Sequence, residues 1–154
     1  MTSDSTKQSI IQDWEELGFF YDVDDKKKEW IFIGSLYGLS KFPQLLADYV
    51  ADYRNEMLSE HEHYGPYMYL KIVTLENAEI GRRHIGGSLE SLANLKRVFE
   101  KKLANAKIGD TLVIGPEFCD TPKYSIKILV KKDNFHPAEE DSGLKEYIQK
   151  TNCL

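Results

Sequence analysis

The chain has 154 residues and a formal net charge of −5, enough for one ordinary domain with a core of its own, without metals or disulfides. Its 42% hydrophobic content excludes a disordered chain, and the acidic balance argues against a general phosphate-backbone binder, which needs a basic surface to release counterions. No stretch approaches the roughly 18 apolar residues of a membrane span, and the polar opening Met1 to Ser9 has no apolar export signal, so a soluble cytoplasmic protein is expected.

Residues 1–9 read as a disordered polar tail, and residues 10–154 as a single domain. Ile10, Ile11, Trp14 and Leu17 recur at helical spacing before Gly18, which marks a short helix. The period then changes to two. Phe19 to Val23 and Glu29 to Ile33 are rich in aromatic and β-branched residues around the charged run Asp24 to Lys28, the pattern of a hairpin.

The phrase Gly34-Ser35-Leu36-Tyr37-Gly38-Leu39 returns 53 residues later as Gly87-Ser88-Leu89-Glu90-Ser91-Leu92. Each copy ends a strand and opens a helix. The first helix is marked by the stripe Leu39, Phe42, Leu45, Leu46, Tyr49, Val50 and Tyr53. Pro43 cannot sit deep in it, so the helix proper is placed from about Ser40, after a turn over Leu36 to Leu39. Tyr67 to Thr74 and the weaker Glu79 to Ile85 read as a second strand pair. Ser88 then caps a helix carrying Leu89, Leu92, Leu95, Val98, Phe99, Leu103 and Ala106, with Gly109 as its stop. Thr111 to Ile114 and Tyr124 to Lys131 are two more strands, and Leu144, Tyr147 and Ile148 allow a short closing helix. The order predicts an α+β fold: tandem β-β-α units plus a final β-β hairpin, forming a largely antiparallel six-stranded sheet with two main helices on one face.

Residue chemistry offers few candidates for catalysis. His61-Glu62-His63-Tyr64 lies in the connection after the first long helix. It lacks the i, i+4 histidine pair of a metalloprotease helix, so its histidines are expected to hydrogen-bond backbone rather than hold metal. Cys119 and Cys153 have no ligand spacing and are expected to be free thiols. No catalytic residue, cofactor or metal site is assigned. Acidic charge is the sharper signal. Asp48, Asp52 and Glu56 follow one another at i, i+4 and i+8, a row of carboxylates on one helix face, and Glu60 and Glu62 extend it. Such a strip suits docking of a lysine- and arginine-rich partner. Exposed tyrosines, among them Tyr37, Tyr53, Tyr64, Tyr67 and Tyr69, suit a recognition surface too.

The Trp14-Glu15-Glu16-Leu17-Gly18-Phe19 opening, the Gly34-Ser35-Leu36 turn and the segment from Leu58 to Tyr67, on a small acidic α+β chain, resemble an immunity protein of a bacterial polymorphic or contact-dependent toxin system. The resemblance implies a stoichiometric inhibitor of a cognate toxin domain, often a basic nuclease, with no direct binding of nucleic acid or membrane. The partner-binding residues it points to are Asp48, Asp52, Glu56, Glu60 and Glu62, with His61, His63 and Tyr64 beside them. A small homo-oligomeric ligand-binding or structural domain is the alternative, and a small hydrolase or metal-dependent enzyme a further one.

Overall fold

The computed structural model describes residues 3–152 and 154, so Cys153 lies outside it. The fold is α+β, but its strands form two four-stranded mixed sheets rather than one antiparallel sheet of six. Helix α1 (Asp4–Leu17) starts well inside the stretch expected to be a tail, with the Ser3 hydroxyl accepting from the Thr6 amide. Its apolar face buries Ile11 and Trp14. Gly18, at φ 91°, ends it in the left-handed conformation that glycine adopts without strain.

Strands β1 (Phe20–Asp24) and β2 (Glu29–Ser35) form the expected hairpin. Ser35 then caps the single turn α2 (Leu36–Leu39), and α3 (Lys41–Ala51) follows with Pro43 in its first turn. There the missing amide costs no helical hydrogen bond. Strands β3 (His61–Tyr64) and β4 (Leu70–Thr74) pair antiparallel. Short strands β5 (Glu79–Ile80) and β6 (Ile85–Gly87) make a tight hairpin, and Ser88 caps α4 (Leu89–Ala104). The chain closes with β7 (Thr111–Ile114), β8 (Ser125–Lys131) and α5 (Lys145–Thr151).

Two departures raise the strand number from six to eight. His61 to Tyr64, read as a loop, is an edge strand, and Glu79 to Ile85 divides into two strands around a turn. Helix α4 also stops at Ala104, short of Ala106 and Gly109.

The sheets explain the repeated phrase. One is ordered β1-β2-β8-β7 and the other β3-β4-β6-β5. Each therefore joins the hairpin before one long helix to the hairpin after the other. The central pairs, β2 with β8 and β4 with β6, are parallel. Their registers correspond: Gly34 faces Val130, and Gly87, its counterpart in the second copy, faces Thr74. The two units have exchanged hairpins around a pseudo-twofold arrangement.

Helices α3 and α4 pack on each other, and α4 also on β6 and β7. Phe32, Phe42 and Phe99 meet there, with ring centroids 4.9 to 6.2 Å apart. All three are fully buried, and such aromatic pairs add to what their area burial contributes. Between the sheets, the Trp30 indole donates to the Gly81 carbonyl at 2.7 Å, and the Tyr124 amide donates to Ile80 at 3.1 Å. Among the described residues, no helix is long and apolar enough to cross a membrane.

Candidate functional site

The segment after α3 gathers most of the residues singled out from the sequence. It is pinned to β4 by a knot of polar contacts. Tyr49 donates to the Glu60 carbonyl at 2.8 Å, Thr74 donates to the Asn55 carbonyl at 2.6 Å, and the Asn55 amide donates to the Tyr49 carbonyl at 2.8 Å. Ser59 and Thr74 then exchange strand-like bonds with Thr74 and Glu60, both at 2.8 Å. Burial holds the Tyr49 phenol above its ordinary pKa, so it remains a donor at neutral pH.

The helix does not run far enough to make the expected carboxylate row. It ends at Ala51, and Asp52 turns extended at φ −86°, ψ 111°. The Asp52 carboxylate accepts from the Arg54 amide at 3.0 Å, capping the 3-10 turn Tyr53–Glu56. It also takes the Arg54 guanidinium in a two-pronged contact at 3.0 and 2.6 Å. That guanidinium holds its carboxyl below the usual range, and the strip thus contains a cation. Asp48 lies elsewhere, accepting from the Gln44 amide at 3.0 Å over a hollow shared with Tyr37, Lys41 and Tyr64. Burial raises the half-buried Tyr64 phenol.

What helical periodicity does not assemble, the chain reversal does. Asp52, Glu56, Glu60 and Glu62 converge with His61 on one hollow of about 570 Å³. Tyr53 and Met57, which also line it, are 77% and 69% exposed, and Leu58, next in the chain, is 62% exposed. Arg54 also lines the hollow, paired with Asp52, so the uncompensated charge there is that of Glu56, Glu60 and Glu62, and exposed apolar groups beside such charge suit a recognition patch. The patch runs onto β3, whose outer edge is unpaired in its sheet and can accept another strand.

The two histidines of β3 share a face, as their spacing requires on a strand. Their rings meet edge to face at 5.2 Å. His61 Nδ1 lies 3.1 Å from the Ser59 carbonyl, and His63 Nδ1 lies 2.9 Å from the Met68 carbonyl. Each contact needs Nδ1 to carry the proton, since a carbonyl only accepts. Among the described residues, no group of three or more His, Cys, Asp or Glu is placed to hold a metal ion. Cys119 is a free thiol that donates to the Ala78 carbonyl at 3.2 Å.

Sequence reasoning named the acids but missed Met57 and Leu58. The signal was there: two large apolar side chains standing between Glu56 and Ser59, outside any helical stripe. Tyr53, placed last in the helical stripe, escapes burial because the helix has already ended. His63 lines a second cleft, of about 830 Å³, with Tyr67 and Tyr69. No known protein family, curated protein or solved structure matches this chain.

Proposed function

We propose that the chain is an immunity-type inhibitor that binds a basic toxin domain stoichiometrically and blocks it without chemistry of its own. The observation that carries this reading is the convergence of Asp52, Glu56, Glu60 and Glu62 on one groove lined also by the exposed Tyr53 and Met57, with exposed Leu58 next in the chain. The carboxylates steer a basic partner into place, and the exposed apolar groups lose water on contact. The open edge of β3 adds backbone donors and acceptors in the same direction.

Co-purification with the product of the neighbouring open reading frame tests the class: a 1:1 complex that abolishes the partner's toxicity is expected. Glu56, Glu60 and Glu62 make no ion pair or side-chain hydrogen bond among the described residues, so reversing them leaves the fold intact. Each exposed charge pair contributes about 0.2 to 1 kcal/mol, and E56K/E60K/E62K should weaken the complex at least roughly tenfold while flattening its salt dependence. Unchanged affinity in the triple variant would move the interface away from this groove, and no complex at all would remove the proposal.

A further inference from the structure

β3 is the outer strand of a sheet ordered β3-β4-β6-β5, and the bonds to β4 decide which of its backbone groups face outward. Thr74 donates to the Glu60 carbonyl and accepts from the Ser59 amide, both at 2.8 Å. Bonded residues recur at every second position across an antiparallel pair. With Ile72 opposite Glu62 and Leu70 opposite Tyr64, the amides and carbonyls of Glu62 and Tyr64 therefore point to β4. The far side of β4 agrees: the Leu75 amide donates to the Gly87 carbonyl at 2.9 Å, which leaves Thr74, Ile72 and Leu70 turned toward β3. The amides and carbonyls of His61 and His63 thus face away from the sheet, two donors and two acceptors at ladder spacing.

Both ends of this edge are fixed. Ser59, at φ 76°, stands with Glu60 opposite the single residue Thr74, a bulge whose first position usually takes glycine. Beyond β3, the turn into β4 holds Tyr67 and Met68 at φ 67° and 59°, left-handed conformations that large side chains adopt at a cost. Tyr21 keeps them there, donating to the Pro66 carbonyl and accepting from the Tyr69 amide at 3.1 Å. Met68 donates to the Gly65 carbonyl at 3.2 Å, and the His63 ring donates to the Met68 carbonyl at 2.9 Å. A strand held at both ends gives up little freedom when another chain pairs with it.

The two faces of β3 differ in charge. Residues opposite each other across a ladder share a face, so His61 and His63 lie with Val73 and Lys71, and Glu62 lies with the buried Ile72. The Tyr64 phenol, raised first by burial, is raised further by Glu62 and Asp48, which sets both carboxylates on that second side. The cations near them are engaged, Arg54 with Asp52 at 2.6 Å and Lys41 over the Tyr37 ring at 5.6 Å. A cation added at the edge therefore meets Lys71 on one face and uncompensated carboxylates on the other.

A second copy of the chain offers those carboxylates no cation. Antiparallel pairing of β3 with itself about Glu62 sets Glu62 against Glu62, about His61 against Glu60, and about His63 against Tyr64. Like charges directly opposite are destabilising. β7, the edge strand that follows the other long helix, carries no charged residue, so charge selects at β3 alone of these two edges.

We propose, resting on the inhibitor reading, that the partner presents an extended basic segment that adds to β3 as a fifth strand. Its lysines or arginines recur at every second residue on the Glu62 face. The residues between them are uncharged and lie on the histidine face beside Lys71. Backbone bonds to His61 and His63 hold the strand, and the alternation of charge sets its register.

The capped peptide acetyl-Lys-Thr-Lys-Val-Lys-Thr-Lys-amide, titrated into the full chain, tests this by amide exchange in nuclear magnetic resonance. In the free chain the His61 and His63 amides should exchange fast and those of Glu62 and Tyr64 slowly. Bound peptide should slow His61 and His63 by at least about tenfold. A peptide of the same composition with its lysines consecutive should bind about fivefold more weakly, and E62K should weaken the alternating peptide by about as much. N-methylation of one alternate set of peptide amides should abolish binding, while the other set tolerates it. Binding that leaves the two histidine amides unprotected, equal binding of the consecutive-lysine peptide, equal effects of the two methylation sets, or no binding would each overturn the proposal. Slow exchange of the two histidine amides in the free chain would overturn it as well, since the edge would then be covered already. The assay needs no toxin, so its failure leaves the inhibitor reading to stand or fall by co-purification.

Discussion

Asp141 is a carboxylate only 7% exposed, and its partners are neutral donors: the Trp14 indole, the Tyr67 hydroxyl and the Gly143 amide. It ties α1 and the strained turn to the C-terminal segment. In D141N, whichever way the amide turns, its NH2 faces a donor, which leaves buried groups unsatisfied at about 1 to 3 kcal/mol. A lower urea midpoint with an unchanged slope is expected, and Y67F, which removes one donor but keeps the ring, should cost less. Tyr21 makes a pH-dependent prediction. Burial pushes its phenol from 10.0 up to about 12. Because the folded pKa is the higher one, the stabilisation is fully present below pH 10 and is lost as pH rises from 10 toward 12. At 1.36 kcal/mol per decade this is on the order of 3 kcal/mol. Y21F should be less stable at neutral pH, having lost two hydrogen bonds, yet show a shallower alkaline decline; parallel curves for the two proteins from pH 9 to 12 would refute the assignment.

At the scale of elements, the two copies of the repeated phrase cap alike, Ser35 accepting from the Gly38 amide and Ser88 from the Ser91 amide, both at 3.0 Å. The difference comes after the phrase: the first copy's helix restarts at Ser40, which makes no side-chain cap for α3. S88A should therefore cost about 1 kcal/mol and S40A well under that, measured by chemical denaturation. Gly38, which corresponds to Ser91, cannot vary in the same way, since a Cβ there would run into the Gly18 carbonyl oxygen. The elements whose apolar pattern has one period were legible in the sequence: the β1–β2 hairpin, both long helices and the alternation of β8. The ones missed have no such pattern. His61 to Tyr64 carries no apolar side chain except a half-buried tyrosine, because an edge strand is held by backbone pairing with β4 rather than by burial. The acid residues were expected to align by helical spacing, but beyond Ala51 there is no helix for that spacing to act on, and four of them meet only through the chain reversal. The cleft at Tyr67 was invisible for a related reason: a run from Tyr67 to Thr74 looks like one strand, and only tertiary contacts force its first two residues left-handed.

For the whole molecule, exchange of hairpins makes each half of the chain depend on the other. Residues 1–76 contain β1 to β4, but β2 finds its parallel partner in β8 and β4 finds its own in β6. Either half alone exposes the inner edges of two separate hairpins and half of a core in which Phe42 from one unit packs on Phe99 from the other at 5.0 Å. A two-stranded hairpin with an unpaired edge and an uncovered face is marginal in water. Glu76 and Asn77 are exposed and lie between β4 and β5, so a break after Glu76 interrupts no strand. Fragments 1–76 and 77–154, expressed separately, should lack near-ultraviolet circular dichroism from fixed aromatic packing, and mixing them should restore it in a 1:1 complex. Because the registers at Gly34 and Gly87 correspond, fragment 1–76 at high concentration should also pair with itself, β4 of one copy taking the place of β8 against β2 of another. That homodimer should be weaker than the mixed complex, since Leu46, the counterpart of Phe99 at the 53-residue offset, then takes its place against Phe42 and the ring contact is lost. A folded monomer from either fragment would show that the hairpins are not interdependent, and the pseudo-twofold exchange would then describe connectivity without carrying stability.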